Sequence, residues 1–140
     1  EDLMWAKDAL IAGHQIQHEP TSVIIHSHNY SLTEILQRNF DDGICNRKVV
    51  GRMLSAADVT PLISSLARND WRWLEDELGL GGQELEQWMI EAMLRRTAQI
   101  TGQWLGLNSN SLPVDFSPLL SLTKKLKAQA TAALEQMEAR

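Results

Sequence analysis

All four histidines, His14, His18, His26 and His28, fall within a fifteen-residue stretch. On a continuous helix His14 and His18 share one face four residues apart, a spacing at which two imidazoles hold a common metal ion. In extended chain His26 and His28 also point to one side. A reversal at Pro20 would bring the two pairs together, and imidazole suits zinc, copper, nickel or haem iron. The competing reading is a hydrophilic connection, because Gln15, Gln17 and Glu19 interleave the cluster and no glutamate adjoins the first histidine. A metal-binding protein is therefore the second alternative, and no cofactor is expected.

A second constellation is basic. Asn46, Arg47, Lys48 and Arg52, with Arg38 before them, flank Gly43 in a segment that reads as helix–turn–helix over 32–54. A DNA-reading unit would lay the second of those helices in the major groove, with arginine, lysine and asparagine on phosphates and base edges. Arg38 and Asp42, however, stand where such a pair needs small or apolar residues, and Asp41 and Asp42 would face phosphate. An ordinary helical pair with a solvated basic side fits better, and DNA binding is the first alternative.

Catalytic pairings are thin. No serine sits in a nucleophile-elbow pattern, Cys45 has no histidine near it in sequence, and Gly79-Leu80-Gly81-Gly82 is not a phosphate loop followed by lysine. Enzymatic activity is not expected.

Tryptophan is the unusual residue: five, against two phenylalanines and one tyrosine. Trp71 and Trp73, two apart, cannot share a helical face, so at least one is expected at a boundary where it could anchor a partner. Trp88 lies off the main stripe of its own helix. Filling of the core is the competing use of these rings, tryptophan being highly buried on average. The β-branched run Val23-Ile24-Ile25 favours extended chain. With no second strand in sight its backbone groups need a partner, so Val23, Ile24, Ile25, Trp71 and Trp73 are the candidate partner-binding residues.

Helical periodicity supplies the scaffold. A first helix is expected from Asp2 to about Gln17, and a second from Ser31, where Ser31-Leu32-Thr33-Glu34 forms a capping box and Asp41-Asp42-Gly43 signals a turn. A third covers Ile44 to Leu54. Thr60-Pro61 opens a fourth, and Asn69 or Asp70 caps a short one through Leu78, the two being readable as one kinked helix. Gln83 to Leu105 is the longest periodic stretch, with Arg95 and Gln99 on its wet side. A last helix begins at Ser117-Pro118 and turns Leu122, Leu126, Ala133 and Met137 inward. The expected fold is all-α, a compact bundle of six or seven helices in one domain over 1–140, with at most one short extended segment near residues 22–28.

Composition bounds the rest. The 140 residues are 44% hydrophobic and 22% charged, ordinary for a globular domain, so disordered and fibrous classes are excluded. A net charge of −5 lacks the footprint of a nucleic-acid or anionic-membrane protein. One cysteine forbids an intrachain disulfide, and no apolar run approaches the roughly 20 residues of a membrane span. A cytoplasmic location is expected. The chain opens at Glu1 rather than methionine, so a preceding segment is expected to have been removed. The function these features favour is a non-catalytic interaction or regulatory module that binds a protein partner or itself, as a homo-oligomer.

Overall fold

A computed structural model describes residues 2–23 and 28–138. Its elements are all helical: α1 (Asp2–Ile11), α2 (Leu32–Val50), α3 (Ala56–Asp76), α4 (Gly82–Leu107), α5 (Ser117–Leu120) and α6 (Leu122–Glu138). The all-α expectation is met, and no strand occurs among the described residues.

Local chemistry accounts for most of the boundaries. Ser31 caps α2 as a complete capping box: its Oγ accepts the Glu34 amide, and the Glu34 carboxylate accepts the Ser31 amide at 2.8 Å. Gly51, at φ 70°, takes the left-handed conformation that ends the helix and donates its amide to the Arg47 carbonyl. Between these signals α2 runs unbroken, so the turn expected at Gly43, and with it the helix–turn–helix over 32–54, does not form.

The reason lies across the core. Gly43, Gly102 and Gly106 are buried where α2 and α4 cross with their backbones in contact. A Cβ on Gly43 would stand 2.5 Å from the Gln103 carbonyl oxygen and 2.9 Å from the Leu107 amide nitrogen. One on Gly106 would collide with the Phe40 carbonyl, and one on Gly102 with that of Leu36. Residue numbers rise together along this seam, so α2 and α4 run in the same sense. Phe40 and Leu107, both fully buried, and Ile100 close the core around it.

Ser55, not Thr60, caps α3, its Oγ accepting the Ala57 amide at 3.2 Å, and Pro61 lies inside the helix. The expected cap at Asn69 or Asp70 is interior as well, so the two short helices are one. Helix α3 then folds back against α4 through the Glu77–Gly81 turn, where Gly79 at φ 64° supplies the left-handed step. Near the C-terminus Ser121 is extended and separates α5 from α6, which breaks the single last helix expected there. Helix α6 is exposed over residues 123–132, Leu126 among them; of the other residues expected to face inward Leu122 is half-buried, and the side chains of Ala133 and Met137 lie outside those described. It is tied down at its start, where Asp41 Oδ2 accepts the Thr123 amide at 2.9 Å.

Candidate functional site

The best-formed concavity is a cleft of about 480 Å³ whose walls are α3 and α4, with Ile35 of α2 at its back. Helix α4 contributes Trp88, Ala92, Arg95, Arg96 and Gln99, spaced i, i+4, i+7, i+8 and i+11, which is one helical face. Helix α3 contributes Asp70, Trp73 and Leu74, again one face. Because the helices are antiparallel neighbours, the polar residues Asp70, Arg96 and Gln99 meet at one end and the tryptophans lie toward the other. Leu74 is buried beneath them, whereas Trp73 and Trp88 are each about half exposed.

The polar end is held rigidly. Arg96 grips Asp70 through a bidentate fork, Nε to Oδ2 at 2.6 Å and Nη2 to Oδ1 at 2.7 Å. Its remaining branch, Nη1, donates to Gln99 Oε1 at 2.8 Å, which fixes how that amide is oriented. The hydrogen bond to Asp70 raises the Arg96 pKa above its usual value, with burial opposing and the Asp70 charge assisting. Arg95 pairs with Glu91 at 2.7 Å and donates Nη1 to the Tyr30 carbonyl at 3.2 Å. Both guanidinium charges are thereby matched by carboxylates.

The sequence pattern places Trp73 among the candidates and Trp88 off its stripe, but it puts Arg95 and Gln99 on the wet side and Asn69 or Asp70 at a helix cap. The missed signal is the repeated face on α4, which becomes informative only once α3 lies against it.

The other candidates are dispersed. Trp71 is exposed on α3 but does not line the cleft. Val23 is exposed, and Ile24 and Ile25 lie outside the described residues. Among the basic set, Arg47 donates to the Leu107 carbonyl at 3.0 Å, serving the C-terminal end of α4, and Asn46 bonds back to the Asp42 carbonyl at 2.9 Å. Lys48 and Arg52 are exposed. With α2 continuous, no separate recognition helix presents these four residues.

The helical pairing of His14 and His18 is also lost, because α1 stops at Ile11, with Gly13 at φ 85° just beyond. Both histidines are exposed, His28 stacks on Tyr30 at 4.6 Å between ring centroids, and His26 lies outside the described residues. Among the described residues no three His, Cys, Asp or Glu side chains converge as a metal site, and no helix is long and apolar enough to cross a membrane.

A second, shallower concavity of about 430 Å³ lies between α1 and α2, lined by Leu3, Ala6, Lys7, Leu10, Ile11 and Val49. Lys7 Nζ reaches the Val49 carbonyl at 3.1 Å. Ile11 in its lining is 74% exposed, and elsewhere in the N-terminal stretch Trp5 is 70% and Val23 79% exposed.

Comparison with known proteins gives one point of reference. The chain is 25% identical over 124 residues to the O-antigen chain rhamnosyltransferase RfbN of Salmonella typhimurium, an alignment covering 89% of this chain. The chain spans 37% of that protein's length. No protein family and no solved structure matches it.

Proposed function

We propose that this chain is a helical docking module of a glycosyl-transferring protein or assembly, with α1 and the segment after it packed on the unit that performs the transfer. The observation that carries the reading is the run of exposed apolar residues on α1 and the segment after it. Toward the N-terminus Leu3, Met4, Trp5, Leu10, Ile11, Ile16 and Val23 are all exposed.

So many bare apolar side chains in one short stretch suit an interaction surface. The likeness to a rhamnosyltransferase supports a partner unit that transfers glycosyl groups, and the all-helical fold agrees with a supporting rather than a nucleotide-binding role. A β-branched run beginning at an exposed Val23 suits addition to a sheet edge in that unit. The test is a chimaera in which this chain replaces the matched segment of the Salmonella protein, assayed for rhamnosyl transfer. Transfer by the chimaera supports the reading; a chimaera that unfolds cooperatively yet transfers nothing contradicts it.

A further inference from the structure

We infer that the α3–α4 cleft binds a neutral glycan, with Trp73 and Trp88 as stacking surfaces and Asp70, Gln99 and Arg95 as hydroxyl partners. The inference rests on the proposed role in glycosyl transfer and adds the ligand class and the residues that hold it. The cleft volume, about 480 Å³, falls within the roughly 300–1,000 Å³ of small-molecule sites, which pair apolar walls with a few fixed polar groups.

Three features select the class. The indoles of Trp73 and Trp88 are half exposed in a concavity rather than sunk in the core, and the face of an indole suits the C–H face of a pyranose ring. The charges are already matched, Arg96 by Asp70 and Arg95 by Glu91, so an anionic ligand gains little Coulomb attraction there. The polar groups keep both donors and acceptors. A carboxylate offers about four acceptor sites, of which the Arg96 fork occupies two on Asp70. The Gln99 amide nitrogen offers two donors, its oxygen being held by Arg96. A hydroxyl both donates and accepts, so a sugar edge meets this array without leaving a buried charge unpaired. A 6-deoxyhexose adds a methyl group that the tryptophan end can cover.

The test is titration of the 140-residue chain with methyl α-L-rhamnopyranoside and with a neutral rhamnose trisaccharide, followed by nitrogen–proton correlation spectra. The expected result is saturable shifts of the Trp73 and Trp88 indole N–H signals, with a trisaccharide dissociation constant on the order of 1 mM. Trp88→Ala should weaken binding about tenfold or more while Trp88→Phe retains it, and both variants should keep the wild-type melting curve, the ring being half exposed. Asp70→Asn should weaken binding, and a sulfated disaccharide at equal concentration should leave both signals unmoved. Absence of saturable shifts overturns the inference, as does sugar binding that Trp88→Ala leaves unchanged or a stronger response to the sulfated sugar. A chimaera that transfers rhamnose alongside a cleft that binds no rhamnoside would refute this inference alone.

Discussion

Glu34 shows how a single side chain carries both a helix start and a pH dependence. Its carboxyl is held below the usual range by the Ser31 hydroxyl first and the Ser31 amide second. A carboxyl depressed in the fold contributes stability that is present above its unfolded value, about 4.3, and is lost as pH falls through the folded one. Glu34→Gln should therefore melt below wild type at pH 7, and the gap should close on acidification; thermal scans at the two pH values check this. At the cleft, Asp70→Asn should cost about 1–3 kcal/mol in urea unfolding, because it strips the charge from a partly buried bidentate pair. The capping box was legible in the sequence because all of its partners lie within three residues. The Asp70–Arg96 pair was not, since twenty-six residues and a reversal of the chain separate its members.

Helix continuity depends on contacts that periodicity cannot see. Asp41-Asp42-Gly43 has the composition of a turn, yet α2 runs through it, and the glycine serves the seam, where α4 passes too close for any side chain. Gly102 and Gly106, four apart, are the matching half of the seam, and inside an amphipathic stretch they look merely like weak helix formers. Gly106→Ala should destabilise the protein by about 3 kcal/mol, since the added methyl meets backbone rather than a side chain that can yield. Chemical denaturation measures it, and Gly81→Ala, which meets open space, should cost far less. The C-terminus teaches the opposite lesson. An apolar periodicity there predicts a core element, but Leu126 is bare and the first turn is held by the Thr123 amide's bond to Asp41. Truncation after Ser121 should leave a cooperative melt, whereas loss of cooperativity would restore α6 to the core.

At the scale of the whole molecule, the all-α class was readable because helical stripes recur along the chain, while the shape of the surface was not, because burial depends on which stripes find partners. The stripe of α1 finds few. Ile11→Lys should leave the melting temperature of the isolated chain nearly unchanged in thermal scans, as surface substitutions usually do. The most direct test of the docking claim is rhamnosyl transfer by the chimaera described above, compared with the same chimaera carrying Ile11→Lys. The account predicts that the unaltered chimaera transfers rhamnose and that the lysine variant, equally folded, loses most of that activity; undiminished transfer by the lysine variant would contradict it.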